Sequence, residues 1–240
     1  ANLPFTGKIF DFAESSDGAI WAATESSGLL RIDQRSNELT IYTHDAKDER
    51  SIVPGRLNRL TKDRNGNLWI ASGTGGVSQF DPIEGKSTNY LYSSANVNSI
   101  PSNDIADIFE DIDGDIWIAT REGLARYTPD IGTFERITRA NARLPDDDVF
   151  SIYQTREGMY WVGTFAGLVA GSKADFEMFD HYSINLSNNS VNVFAQSQDG
   201  TLWVGTDDGL NRLSPDKHRF EWINESSVPS ISSPIVMSLL

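Results

Sequence analysis

The chain has 240 residues, of which 39% are hydrophobic and 22% charged, the composition of an ordinary globular protein large enough for one all-β domain. Its 34 acidic and 20 basic side chains give a formal net charge of −14, which argues against the basic surface that nucleic-acid binding requires and disfavours attachment to anionic lipid. Because the chain has no Cys, disulfides, thiolate metal sites and a Cys nucleophile are excluded.

The two ends of the sequence lack the features of natural termini. Residues 1–10 have neither the basic start nor the apolar run of a signal peptide, and residues 232–240 end on apolar side chains with no turn or cap after them. No stretch reaches the ~18 apolar residues that a membrane helix needs. We therefore expect this sequence to be part of a longer chain, with membrane attachment only through segments outside it.

One motif recurs five times along the chain: an acidic or Asn residue, a Gly, and then an apolar run centred on Trp. The copies are DGAIWAAT (17–24), NGNLWIAS (65–72), DGDIWIAT (113–120), EGMYWVGT (157–164) and DGTLWVGT (199–206). Apolar residues also stand nine and six positions before each motif Gly, as Leu57 and Leu60 do in the second copy. The Trp residues, spaced 48, 48, 44 and 42 positions apart, are Trp21, Trp69, Trp117, Trp161 and Trp203.

Each repeat divides into four short runs of β-forming residues bounded by Gly, Asn, Asp and Pro. In the third repeat the runs are DIADIFE, DIWIAT, GLARYT and FERIT. No segment keeps a helical period, and four antiparallel strands every 40–50 residues indicate an all-β fold, a β-propeller of four-stranded antiparallel blades. We predict a propeller domain over 1–240, with five complete blades and the first strand of a sixth, as a fragment of a propeller of about seven blades. The predicted blades are 5–45, 54–93, 101–139, 146–182 and 188–224, followed by the strand 231–240.

The motif Gly residues are predicted to lie in tight turns between the first and second strand of each blade. Asp-Gly and Asn-Gly favour two-residue hairpins, which need positive φ at both central positions. Small residues flank each Trp, so we expect the indoles to pack between blades, with a stacking platform for a ligand as the alternative. The turn residues assigned this structural role are Gly18, Gly66, Gly114, Gly158 and Gly200.

A calcium loop is the alternative for the acidic turn DIDGD (111–115). Its first acid is replaced by Ser15, Thr155 and Ser197 in other repeats, and the bidentate Glu of an EF-hand is missing. We therefore predict no metal at these turns.

The segments WIATxxGLAR (117–126) and WVGTxxGLNR (203–212) resemble the two-component regulator propeller repeat. The linkers 96–105 and 182–191 are similar to the Asn- and Ser-rich links of that family. Two departures concern loop shape: an extra residue before Gly28 and Gly76, and Leu168-Val169-Ala170 where the family has GLxR.

The resemblance implies a sensor. Such repeats form periplasmic input domains of bacterial inner-membrane receptors, whose output is a histidine kinase of hybrid two-component type or a GGDEF-type diguanylate cyclase. It further implies an oligosaccharide as the small ligand and a homodimer in the full-length receptor.

The sequence contains few combinations of residues that could catalyse a reaction, and we predict no catalytic residue, metal or cofactor. His44, His181 and His218 are expected on separate parts of the outer rim. The acidic run Asp146–Asp148 is expected to be a solvated link between blades. Two alternatives stay open, a carbohydrate-active or lyase-type propeller enzyme and a scaffold for protein–protein interaction.

A binding site is expected at the end opposite the tight turns, where long links meet the variable loops TESSG, SGTGG, TREG, TFAG and TDDG. Arg121 there could clamp a carboxylate or a pair of sugar hydroxyls, and Phe165 is an apolar ring at a loop tip. The ligand-binding candidates are Arg56, Arg59, Asn103, Asp104, Arg121, Glu122, Asp148, Phe165, Asn189 and Asp207.

Overall fold

A computed structural model of the chain describes residues 7–142, 144–172, 180–181, 185–214, 219–223 and 235–239. The described residues form twenty strands and no helix, which confirms the all-β prediction. The strands combine in five four-stranded antiparallel sheets, and in each sheet the strands lie in the order of the chain.

Each sheet takes its strands from one repeat. The first contains β1 (Ile9–Glu14), β2 (Ile20–Thr24), β3 (Leu29–Ile32) and β4 (Leu39–Tyr42). The second contains β5 (Leu57–Lys62), β6 (Leu68–Ser72), β7 (Gly76–Asp81) and β8 (Lys86–Tyr90). The third contains β9 (Ile105–Glu110), β10 (Ile116–Thr120), β11 (Gly123–Thr128) and β12 (Thr133–Ile137). The fourth contains β13 (Val149–Gln154), β14 (Tyr160–Thr164), β15 (Gly167–Gly171) and β16 (Asp180–His181), and the fifth contains β17 (Val191–Gln196), β18 (Leu202–Thr206), β19 (Gly209–Leu213) and β20 (Phe220–Ile223).

The chain divides into two compact units. The first comprises residues 1–120 and 125–136, and the second comprises 121–124 and 137–240. The first three sheets therefore belong to the first unit, apart from residues Arg121–Leu124 and Ile137, and the last two sheets belong to the second unit. Each unit has its own apolar core.

Within each unit, the Trp of one sheet packs against the apolar pair of the next sheet. Trp21 lies in a cluster with Leu57 and Leu60 of the second sheet. Trp69 clusters in the same way with Ile105 and Ile108 of the third sheet. In the second unit, Trp161 packs with Val191 and Phe194. Trp21, Trp69 and Trp117 are fully buried, and burial of an indole contributes a few kcal/mol of stability at about 25 cal/mol per Å².

In four of the five repeats, the residue six positions before the motif Trp accepts a hydrogen bond from the indole N–H. Trp69 Nε1 donates to Asp63 Oδ2 at 3.0 Å, and Trp117 Nε1 donates to Asp111 Oδ2 at 2.8 Å. Where a hydroxyl replaces the acid, Trp21 Nε1 donates to Ser15 Oγ at 2.9 Å. The other oxygen of Asp111 accepts the amides of Asp113, Gly114 and Asp115 within 2.9 Å. One buried carboxylate therefore ties the turn to the core.

The predicted two-residue turn is wrong in length. Residues 15 and 19 form the last pair of the first hairpin, through Ser15 N and Ala19 O at 3.0 Å, and Gly18 N donates to Ser15 O at 2.9 Å. The loop thus has three residues, a type I turn followed by a left-handed Gly, and only Gly18 has positive φ, at 81°. The residue before the Gly keeps ordinary φ, which explains why the fourth repeat carries Glu157 there without strain.

A β-bulge interrupts the pairing of the first and second strands in every sheet. In the second sheet Leu57 pairs with Ser72 and Arg59 with Ala71, so that Asn58 has no partner. The same register shift occurs in the other four sheets. An unpaired residue bends the strand and redirects its own side chain. The bulge residues are Phe10, Asn58, Ala106, Phe150 and Asn192.

Residues 235–239 lie along the fifth sheet without forming a strand of their own. Val236 N donates to Thr206 O at 3.0 Å. A Cβ at Gly205 would lie 2.7 Å from Val236 Cγ1, just as a Cβ at Gly163 would lie 2.7 Å from Val191 Cγ1. Val236 therefore occupies, against the fifth sheet, the place that the first residue of β17 occupies against the fourth.

We predict that Asp111→Ala destabilises the chain by about 3 kcal/mol, because it leaves the indole N–H and three turn amides without a buried acceptor. Asp111→Ser is the matched control, since Ser15 performs this role in the first repeat, and it should cost about half as much. Urea unfolding followed by Trp fluorescence measures both values. Equal losses for Ala and Ser would contradict the assigned role.

A second prediction concerns Asp199, whose pKa is lowered to about 2 because the Ser197 hydroxyl and the Thr201 amide donate to its carboxylate. Since this pKa lies below the unfolded value, the two hydrogen bonds to the ionised carboxylate stabilise the fold above about pH 4. That contribution is lost as the pH falls from about 4 to about 2. Ser197→Ala should raise the pKa of Asp199 towards 3.8, measured by NMR titration of the carboxyl carbon. An unchanged pKa would show that the hydroxyl is not its cause.

Candidate ligand-binding site

The loop between the second and third strands lies beside the start of the first strand in four of the five sheets. Phe165 N donates to Asp148 O at 3.0 Å, and Gly73 N donates to Arg56 O at 2.9 Å. The equivalent bonds in the first and fifth sheets join Glu25 to Lys8 and Asp207 to Ser190. We call this end of each sheet its loop end. It lies opposite the three-residue turns because adjacent strands are antiparallel.

Four side chains meet at the loop end of the second unit, and we call them the Arg121 cluster: Arg121, Asp148, Phe150 and Phe165. Arg121 Nη1 lies 2.8 Å from Asp148 Oδ1. The guanidinium carbon of Arg121 is 4.6 Å from the centre of the Phe150 ring, within the range of a cation–π contact. The rings of Phe150 and Phe165 meet edge to face at 6.5 Å. Phe165 is 61% exposed, so the cluster presents an aromatic surface to solvent.

Backbone geometry holds the cluster in place. Phe150 is the bulge residue of β13, and the bulge redirects its side chain out of the regular alternation of the strand. Asp148 directly precedes β13, and its carbonyl accepts the amide of Phe165. The start of β13 and one main-chain hydrogen bond therefore fix the positions of the Phe150 ring, the Asp148 carboxylate and the loop that carries Phe165.

Three members of the cluster, Arg121, Asp148 and Phe165, are among the ligand-binding candidates predicted separately from the sequence, and Phe150 is not among them. The residue after the first apolar position of each repeat is Phe10, Asn58, Ala106, Phe150 or Asn192, and a regular strand would give this position no special direction. The sequence contained one indication of a special role for this position: it is aromatic in two repeats and not in the other three.

The other candidates of the second unit lie at the same loop end. Asp207 is exposed and accepts a hydrogen bond from Asn192 Nδ2 at 2.9 Å. Glu122, next to Arg121, and Asn189, in the link before β17, are exposed as well. These three residues contribute polar surface around the loop end. The aromatic contacts described above are made by the Arg121 cluster.

In the first unit, two of the candidates are engaged in packing the sheets. Arg59 Nε lies 3.4 Å from Asp107 Oδ1, and Arg59 Nη1 donates to Asn58 O. Asn103 accepts the Tyr92 amide through its side chain at 2.7 Å, and its carbonyl accepts the Gly76 amide. These bonds join the second sheet to the third.

The remaining two candidates of the first unit are Arg56 and Asp104. Asp104 is partly buried, and its amide donates to Ser102 Oγ at 3.3 Å. Arg56 is exposed, and its guanidinium carbon lies 5.3 Å from the centre of the Phe10 ring.

Among the described residues, the histidines and acids form no metal-binding group. His44 Nδ1 forms a hydrogen bond with Ile52 O at 2.9 Å, while the side chain of His181 and the whole of His218 lie outside the described residues. Over the ranges that the structure describes, no group of three or more His, Cys, Asp and Glu could hold a metal ion. The same ranges contain no helix with the length and hydropathy that crossing a membrane requires.

Comparison with known proteins identifies the fold and the repeat. The family model described as "Two component regulator propeller" matches residues 99–122, 143–166 and 185–208. The extracellular domain of the hybrid two component system BT3049 from B. thetaiotaomicron aligns at a TM-score of 0.81 and 21% identity, covering 90% of this chain and 30% of that one. The extracellular domain of BT4673 from the same organism aligns at 0.74 and 20% identity, covering 91% and 31%.

Virginiamycin B lyase from Staphylococcus aureus also aligns, at a TM-score of 0.70 and 15% identity, over 95% of this chain and 72% of the lyase. No curated protein matches the chain. The chain is therefore a β-propeller, and three of its segments match the two-component regulator propeller model, which confirms the predicted fold class and family resemblance. It spans about 30% of the length of the two extracellular domains.

We predict that Arg121→Ala and Phe165→Ala each change the free energy of unfolding by less than about 1 kcal/mol, since the ion pair is partly exposed at the surface and the ring is mostly in solvent. Urea unfolding measures this. Losses above 2 kcal/mol would mean that the cluster holds the fold together, and would remove it as a binding site.

Proposed function

We propose that this chain is the extracytoplasmic, ligand-sensing part of a bacterial membrane signalling receptor, in the periplasm and without catalytic activity of its own. The observation that carries the proposal is the match of three repeats to the two-component regulator propeller family, together with the fold shared with extracellular domains of two-component systems. The output would be a histidine kinase or diguanylate cyclase module outside this sequence.

The ligand we propose is an oligosaccharide bound at the Arg121 cluster. The C–H face of a sugar ring stacks on an aromatic side chain, and Phe165 offers such a ring in solvent. Arg121 Nη1 and Asp148 Oδ1 lie 2.8 Å apart, and the two side chains together offer planar donors and acceptors to adjacent hydroxyls of the sugar. Because each already holds the other in position, little side-chain entropy remains to be lost on binding.

The signal would be a change in the arrangement of propellers in a receptor homodimer. A ligand shifts such an equilibrium only when it binds one arrangement more tightly than the other. The loop end suits this role because its loops vary from sheet to sheet on a rigid scaffold.

The location is tested by protease protection in cells of the source organism, with an antibody against this chain. We expect protease to cleave the region when the outer membrane is permeabilised and the inner membrane is intact. Protection until the inner membrane is lysed would contradict an extracytoplasmic sensor.

The ligand is tested by thermal shift against a panel of neutral oligosaccharides, followed by calorimetry on any that stabilise the chain. We predict that Phe165→Ala weakens binding by at least about tenfold, because stacking on an aromatic ring is lost. Ile83→Ala is the matched control: it removes a side chain that is 96% exposed on the loop between β7 and β8, and should leave affinity unchanged.

The outcomes separate the alternatives. Binding that Phe165→Ala and Arg121→Ala leave intact would place the sugar site elsewhere. Stabilisation by no small ligand, with capture of a peptide or protein, would favour an interaction scaffold. Conversion of a bound sugar, or of a streptogramin, into product would favour an enzyme.

A further inference from the structure

Arg56, at the loop end of the first unit, has an environment different from that of Arg121. Its side chain is exposed, and Arg56 Nε donates to Asn58 Oδ1 at 2.7 Å. The guanidinium carbon lies 5.3 Å from the centre of the Phe10 ring, which is 37% exposed. Phe10 is the bulge residue of β1, the position that Phe150 holds in β13. The two units thus repeat one element, an arginine over a bulge phenylalanine.

The two arginines differ in whether a carboxylate pairs with them. Arg121 is paired with Asp148, whereas within the described residues no ion pair forms between Arg56 and a carboxylate. Ion pairs are the rule for other arginines of the unit, for example Arg31, Arg50 and Arg64. In a chain with a net charge of −14, Arg56 is one of few exposed arginines, with Arg35, for which the described residues provide no ion pair.

Two acids on the strands that contact β5, Asp11 of β1 and Asp107 of β9, already have partners. Asp11, beside Phe10 in sequence, accepts the amide of Phe12 on one oxygen and the amide of Leu60 on the other, at 2.9 and 3.0 Å. Asp107 pairs with Arg59. Neither carboxylate forms an ion pair with Arg56 in the part of the chain that the structure describes.

The loop between β6 and β7 leaves room beside the guanidinium. A Cβ at Gly73 would lie 3.4 Å from Arg56 Nη2 and 3.0 Å from Asn58 Nδ2, so any side chain there would crowd this edge. Gly73 N donates to Arg56 O at 2.9 Å, which fixes the loop against the start of β5. Thr74, at the tip of this loop, is exposed and adds a hydroxyl.

We propose that this element is a second, anion-selective binding site, in which Arg56 binds a carboxylate on a ring-shaped ligand and Phe10 stacks on the apolar face of that ring. A guanidinium binds a carboxylate through two parallel N–H···O bonds, and Arg56 keeps both terminal nitrogens for this purpose because, towards the described residues, its side chain donates from Nε alone. The site selects acidic sugars over neutral ones. It does not rest on the proposed function, since it concerns the first unit alone.

The test is an NMR titration of the labelled chain with glucuronate, and with glucose as the neutral analogue. We expect glucuronate to shift the Arg56 Nε–Hε and Phe10 ring signals with saturation, at an affinity at least about tenfold higher than that of glucose. Arg56→Gln should abolish the shift of the Phe10 ring signals, and Phe10→Leu should weaken the shift of the Arg56 Nε–Hε signal while charge selectivity is kept.

Arg50→Gln is the matched control, because Arg50 is also exposed but is paired with Glu84, and it should leave glucuronate binding unchanged. Three results would overturn the proposal: glucose binding as tightly as glucuronate, glucuronate binding that survives Arg56→Gln, or no saturable shift at Arg56. A failure here leaves the neutral-sugar test of the Arg121 cluster unaffected, so the two proposals fail separately.

Discussion

The structure depends on a buried tryptophan whose indole N–H is bound by the residue six positions earlier in the chain. In the second and third sheets that residue is a carboxylate, Asp63 or Asp111, which also accepts amides of the adjoining turn. A buried polar group is costly unless it is bonded, so this arrangement fixes the turn and the ring together. With the ring fixed, the apolar pair of the following sheet has one surface against which to pack.

This packing determines where recognition can occur. The turn end of each sheet is closed by a three-residue loop in which a left-handed glycine follows a type I turn. The loop end has no such constraint, and there the bulge after the first residue of each first strand redirects one side chain. In β1 and β13 that side chain is a phenylalanine with an arginine over it. The scaffold therefore presents an arginine and an aromatic ring once in each unit.

Much of the fold was predictable from the sequence, because five copies of one pattern specify four strands each. The turn length was not, since Asp-Gly serves both two- and three-residue hairpins and only the backbone φ of Asp17 distinguishes them. The roles of Asp63 and Asp111 were missed because Ser15 and Ser197 replace the acid with a hydroxyl that performs the same bonding. Arg121, Asp148 and Phe165 were predicted as separate loop residues, whereas their contact through Phe150 depends on a bulge that no propensity indicates.

The most direct test of this account is hydrogen exchange of the indole N–H groups of Trp69 and Trp117, followed by NMR under native conditions. If these bonds hold the sheets, both protons should exchange only through global unfolding, with the free energy measured by urea. Exchange at the rate of a solvent-exposed indole, in a chain that is otherwise folded, would contradict the central role given to the tryptophan and its acid.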